Sequence, residues 1–135
     1  MNFVVLSLGS NSADKIQKMK TCINDLKTVF VDVKVSSVYE TEALNGIDNN
    51  YLNAVLSGYC DESFDVIKSR MKQYEIDSGR TKESKLKGDV SIDVDIVLWN
   101  GDIIKEKDFK QIYFQIGWNE IKSYEKDREL QKCYK

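Results

Sequence analysis

Apolar and polar positions alternate along residues 91–98, SIDVDIVL. In an extended strand Ile92, Val94, Ile96 and Leu98 share one face, and Asp93 and Asp95 share the other, roughly 6.6 Å apart along the strand. The same period of two predicts a strand over 32–40; 2–8 reads as a buried strand, 51–59 as a further strand, and a short one is expected at 102–104 after the Asn100-Gly101 turn signal. A period near 3.6 predicts two helices. Over 13–29 the apolar face is Ile16, Met19, Ile23 and Leu26 with Cys22 beside them, preceded at 9–12 by GSNS, a turn rich in helix-capping residues. Over 62–78 it is Phe64, Ile67, Met71 and Tyr74, with Gly79 as the stop. Residues 41–50 read as a loop turning at Asn45-Gly46, and 80–89 as a polar, aperiodic surface loop. Residues 109–118 are apolar and aromatic, and 119–135 read as a polar helix or a frayed tail.

The resulting order predicts an α+β fold: a ferredoxin-like βαββαβ antiparallel sheet with both helices on one face, plus a hairpin and a C-terminal extension. At 135 residues the chain is expected to be a single domain, 1–135, long enough to bury a substantial core. This fold hosts many activities, so function must be read from a site.

Composition narrows the chemistry. A net charge of −2 supplies no global attraction to nucleic acid or to an anionic membrane, and neither partner is expected. No run is long and apolar enough to span a bilayer. The three cysteines, Cys22, Cys60 and Cys133, form no CxxC pair and read as reduced thiols, so the expected location is cytoplasmic. There is no histidine, which excludes an imidazole base and histidine-ligated zinc. The default oligomeric expectation is a monomer.

The two strand aspartates then stand out. Carboxylates this close repel unless water screens them or a cation lies between them. The strand is either a wet acidic face or half of a divalent-metal site, because Mg²⁺ takes one or two carboxylates and completes its shell with water and phosphate oxygens.

Four segments carry a resemblance: LSLGSN at 6–11, SSVYETEAL at 36–44, YLNAV at 51–55 and IDVDIVLWNG at 92–101, with E-x3-GR from Glu75 to Arg80 between the last two. In this order and spacing they resemble the 6-hydroxymethyl-7,8-dihydropterin pyrophosphokinase family of folate biosynthesis, whose members transfer pyrophosphate from ATP to a pterin hydroxymethyl group. The resemblance implies that Asp93 and Asp95 hold two Mg²⁺ ions bridging the ATP phosphates. It places Thr41, Leu44, Tyr51 and Asn53 at the pterin pocket, with Trp118 or Phe114 as a second stacking aromatic. It places Glu75, Arg80, Lys82 and Ile96 on the ATP side, Arg80 and Lys82 belonging to a basic loop that closes over the triphosphate. Lys85 and Lys87 read as solvated loop charges.

The chain also departs from the family pattern. Where members read W-G-P-R-T before the aspartate strand, this chain reads Lys87-Gly88-Asp89-Val90-Ser91, so Val90 replaces a phosphate-contacting arginine. Ile112-Tyr113 replace a Pro-His pair, and Asn119 falls near a further arginine position. Each lost cation facing phosphate in a dry site is worth about 2–4 kcal/mol of transition-state stabilisation. Three expectations therefore stand together: a divergent working pyrophosphokinase, a relative that binds pterin or nucleotide without efficient turnover, and an interaction domain with no small-molecule role.

Overall fold

The computed structural model describes residues 1–46, 48–79, 83, 86 and 88–133, with side chains as far as residue 124. The elements run β1 (Asn2–Ser10), α1 (Lys15–Val29), β2 (Val31–Val35), β3 (Tyr39–Thr41), β4 (Tyr51–Cys60), α2 (Phe64–Asp77), β5 (Asp93–Trp99), β6 (Asp102–Ile103), α3 (Glu106–Lys110) and α4 (Ile112–Cys133). The strands form one open antiparallel sheet in the order β2-β4-β1-β5-β6, with β3 also paired to β4. Among the described residues no helix is long and apolar enough to cross a membrane.

Alternation explains the two-sided core. Val4, Leu6 and Leu8 of β1, Ala54 and Leu56 of β4, and Val94 and Ile96 of β5 pack against Met19, Cys22 and Leu26 of α1 and Ile67 and Met71 of α2. The opposite residues, Val5, Val55 and Val97, pack against Phe114 and Ile121 of α4. The sheet thus carries helices on both faces. The aromatic stretch and the polar tail of the C-terminal region join α3 and α4, and α4 closes the face that the first two helices leave open.

Several local expectations are corrected. The strand over 32–40 is two strands, because Ser36 breaks it. Its backbone N–H donates to Val55 O at 2.9 Å while its hydroxyl accepts from Val55 N–H at 2.9 Å, so a side chain takes the place of a ladder carbonyl. Leu98 does not share a face with Ile92, Val94 and Ile96. Val5 pairs with Leu98 and Leu6 with Ile96, so Val97 is an inserted residue, and the bulge turns Leu98 into the cluster beneath α4. Ile16 lies off the buried face of α1 at 63% exposure. The GSNS turn supplies no side-chain cap to α1; the residue before that helix, Asp14, makes none either. Ser63 does cap α2, accepting from Val66 N–H, and Gly79 stops it with φ +110°. Of residues 80–89, expected to be a loop, 80–82, 84, 85 and 87 lie outside the described residues, while Glu83 and Leu86 are helical.

Candidate active site

Position 11 prepares the site. Asn11 is buried; its side chain donates to Gly88 O at 2.8 Å and accepts from Val90 N–H at 2.5 Å, and its backbone N–H donates to Val90 O at 3.1 Å. Ser10 Oγ donates to Ser91 O at 2.6 Å. The end of β1 therefore clamps the segment that leads into β5, and fixes where Asp93 begins.

Beyond that clamp, three adjacent strands present polar residues on one face. Gly9 pairs with Asn53 on β4 and with Asp93 on β5, and Ser7 pairs with Asp95. Together with Thr41, Leu44 and Tyr51 they line a cavity of about 310 Å³, whose far wall is Asp108 of α3 and Tyr113 of α4. Four of the residues matched to the pterin pocket, Thr41, Leu44, Tyr51 and Asn53, thus meet both aspartates in one space. Asn53 is buried, and its Nδ2 donates to Thr41 Oγ1 at 2.6 Å.

A second cavity, of about 210 Å³, opens between α2 and β5. Glu75 and Ile96 line it with Lys68, Lys72, Ile104 and Lys105, and Asp95 belongs to its wall as well as to the first. Glu75 is a buried acid on an otherwise apolar helical face, at 7% exposure.

Trp118 and Phe114 do not reach either cavity. Phe114 is wholly buried beneath α4, and Trp118 stacks on it at 6.3 Å between ring centroids, with the Lys122 ammonium 5.6 Å from the Trp118 ring. The aromatic that α4 turns toward the aspartates is Tyr113, which sequence reasoning passed over because it looked for a lost histidine there. Burial, the hydrogen bond that Tyr113 donates to Asp108, and the charges of Asp108, Asp95 and Asp93 push its phenol pKa well up, so it stays protonated. Arg80, Lys82, Lys85 and Lys87 lie outside the described residues.

The first cavity is strongly anionic, with Asp48, Asp93, Asp95 and Asp108 in its wall. Lys105 sets an ammonium 2.5 Å from Asp95 Oδ1. Partial burial alone would lower the Lys105 pKa, but the hydrogen bond and charge of Asp95, with Asp108 and Glu75 nearby, outweigh it and raise the pKa. Among the described residues no group of three or more His, Cys, Asp or Glu side chains is placed to hold a metal ion. The chemistry of the pair nonetheless fits Mg²⁺: two hard oxygen donors on a rigid strand, one already seating a cation, with open space for water and phosphate oxygens.

A sequence model of the 7,8-dihydro-6-hydroxymethylpterin-pyrophosphokinase family matches residues 5–123. The chain belongs to this family. It is 34% identical over 109 residues to the 2-amino-4-hydroxy-6-hydroxymethyldihydropteridine pyrophosphokinase of Aquifex aeolicus, an alignment covering 79% of this chain and 67% of that protein. It is 32% identical over 109 residues to the folate synthesis bifunctional protein of Chlamydia muridarum, covering 75% of this chain and 24% of that longer protein. The family is that of the pterin pyrophosphokinases of folate biosynthesis, and both cavities lie within the matched region.

Proposed function

We propose that the cavity bounded by Asn53 and Tyr51 takes 6-hydroxymethyl-7,8-dihydropterin, that the cavity bounded by Glu75 and Ile96 takes ATP, and that Asp93 and Asp95 hold Mg²⁺ where the two meet. The observation that carries this reading is Asp95, which walls both cavities. A nucleotide and a pterin lying on either side of one carboxylate bring phosphate and hydroxymethyl oxygen together there. The substrate oxygen bonds to the β-phosphorus, the bond between that phosphorus and the α–β bridging oxygen breaks, AMP leaves, and the hydroxyl proton passes to solvent.

The protein's work is placement and charge. Tyr51 offers a ring face to a flat heterocycle. The amide nitrogen of Asn53 is committed to Thr41, which leaves its oxygen to accept from the pterin edge. Bound Mg²⁺ supplies the positive charge without which an anionic wall would repel a triphosphate. Arg80 and Lys82, matched by sequence to the family's basic segment, are the residues we assign to the remaining phosphate charge. The strand order, with β2 and β3 taken as one interrupted edge strand, supports a ferredoxin-like core. The burial of the free thiols Cys22 and Cys60 accords with a cytoplasmic setting.

The test is AMP release from ATP and Mg²⁺ with and without the pterin. Pterin-dependent AMP establishes the enzyme. Val90 and the Asp108-bound Tyr113, which stand where family members carry arginine and histidine, favour one second reading: binding of both ligands without turnover. Folded, Mg²⁺-loaded protein that binds both and yields no AMP would establish it instead.

A further inference from the structure

Lys105 has no role in the family pattern described above, yet its ammonium is the cation on the carboxylate that both cavities share. Its backbone is fixed on both sides. Ile104 N–H donates to Val97 O at 2.8 Å, and Lys105 O accepts from Phe109 N–H at 2.9 Å at the start of α3. The side chain is less confined, at 44% exposure. A flexible four-carbon stem on a fixed root lets the ammonium move while staying in the nucleotide cavity.

A pair of this kind contributes little to folding. Half-exposed ion pairs gain little in high dielectric and are screened by salt. Its place is better explained by chemistry than by stability. A carboxylate placed to take up a metal ion needs a counter-charge while that ion is absent. A triphosphate in a cavity whose wall carries the acids Glu75 and Asp95 needs positive groups close by. Lys105, flanked in the same cavity by Lys68 and Lys72, meets both needs.

We propose that Lys105 is a phosphate-binding residue of this enzyme: it neutralises Asp95 in the free protein and passes to an anionic oxygen of the nucleotide when metal and nucleotide occupy the site. This rests on the assignment of ATP to the second cavity. Lysine fits the transfer better than a rigid arginine fork, because its ammonium is a point charge that either acceptor can take.

The experiment compares wild type, Lys105→Met and Lys105→Arg in two binding measurements without turnover. One titrates α,β-methylene-ATP with Mg²⁺ by calorimetry. The other titrates Mn²⁺ alone by electron paramagnetic resonance. In Lys105→Met, nucleotide affinity should fall about tenfold, the loss of one charge-assisted hydrogen bond. Mn²⁺ alone should bind about threefold more tightly, because its competitor on Asp95 is gone. Lys105→Arg should retain most of the nucleotide affinity. A structural role would not move the two affinities in opposite directions. Unchanged nucleotide affinity in Lys105→Met, or a parallel fall in both affinities, overturns the assignment. If wild type binds the analogue and Lys105→Met matches it, the Lys105 role alone falls. If wild type binds no nucleotide, the assignment of the cavity falls with it.

Discussion

Gly9 stands directly opposite Asp93 on β5, with Asn53 opposite it on β4. The residue between the Asn53 amide and the Asp93 carboxylate has no side chain, and the first cavity lies above it. A Cβ built there would lie 3.5 Å from Tyr51 Cδ1 and 3.7 Å from Asn53 Oδ1, which is ordinary contact. Gly9→Ala should therefore fold normally, and the strand should gain about 0.5–1 kcal/mol from the lost backbone freedom of glycine. Gly9→Leu should project into the cavity and weaken pterin binding by about tenfold or more, at the cost of the apolar and polar contacts it displaces. Pterin fluorescence titration of both variants checks this; full pterin affinity in Gly9→Leu would show that the pterin lies elsewhere.

Removing charge from the acid pair should stop the chemistry and spare the fold. The Asp95 side chain is 31% exposed, so Asp95→Asn leaves no orphaned buried charge. Turnover should fall by about 10²–10³, the scale of losing one preorganised electrostatic group. Asp93→Asn should behave similarly. The unfolding free energy should stay within about 0.5 kcal/mol of wild type, as for surface changes. Turnover of Asp95→Asn at the wild-type rate would remove the pair from the mechanism.

Asn53 lines the first cavity and not the second. Its Nδ2 is spent on Thr41 Oγ1 and, at 3.4 Å each, on the carbonyls of Tyr39 and Tyr51. Asn53→Leu should lose the acceptor that meets the pterin and lower pterin affinity by about tenfold, while MgATP affinity stays unchanged. Calorimetry on each ligand separately decides it. Equal losses for both would mean that the substitution has disturbed the sheet rather than the pocket.

How far this site was legible depends on what each residue reports. Asp93 and Asp95 were readable because a period of two survives over 92–96. It fails at Val97, where the bulge sends Leu98 to the opposite face, and nothing in the apolar run VL marks that inserted residue. Ser36 breaks an alternating stretch through a hydroxyl contact that polarity alone does not announce. Asn11 looked like part of a helix cap, but its partners lie 77 and 79 residues away. Lys105 follows a recognisable hairpin, yet its contact with Asp95 depends on how that hairpin folds back along β5. The aromatic that faces the site, Tyr113 and not Trp118, follows from the rotation of α4 on the sheet. Local sequence reports period and turn chemistry; the pairing of distant side chains is a property of the assembled sheet.

The thiol of Cys22 should be inert in the native protein. Burial pushes its pKa from near 9 to about 12; the hydrogen bond with Tyr74 opposes the shift, and the charges of Asp25 and Glu75 add to it. Tyr39 is likewise pushed by burial to about 12, partly opposed by Gly117 N–H. Both groups keep their proton longer folded than unfolded. Their contribution to stability is complete below the unfolded values, near 9 and 10, and is lost as pH rises toward about 12. Urea midpoints should be flat on this account up to about pH 8.5 and fall above it. Iodoacetamide at pH 9 should spare the Cys22 peptide in native protein and modify it in urea. Equal labelling in both would contradict the burial of this thiol.

Docking of α4 should control pterin binding more than nucleotide binding. Gly117 sits so close to the sheet that an added Cβ would lie 2.6 Å from Val55 Cγ2 and 2.9 Å from both Ser36 Oγ and Tyr39 Oη. The Tyr39 hydroxyl joins the same contact, donating to Tyr113 O at 2.5 Å and accepting from Gly117 N–H at 3.1 Å. Gly117→Ala gains up to about 1 kcal/mol of helix propensity but forces the helix outward, and overpacking of this kind costs about 1–3 kcal/mol. Tyr39→Phe should cost about 0.5–1.5 kcal/mol, the net worth of its hydroxyl's hydrogen bonds, because Tyr113 O and Gly117 N–H are an i, i+4 pair of α4 that can still bond each other. Because both changes act on one contact, the double variant should lose less than the sum. The same outward shift carries Tyr113 away from the first cavity and leaves the α2–β5 cavity untouched. Pterin affinity should therefore fall in each variant with MgATP affinity retained. A uniform loss of both would place the effect in global stability rather than in the wall that α4 supplies.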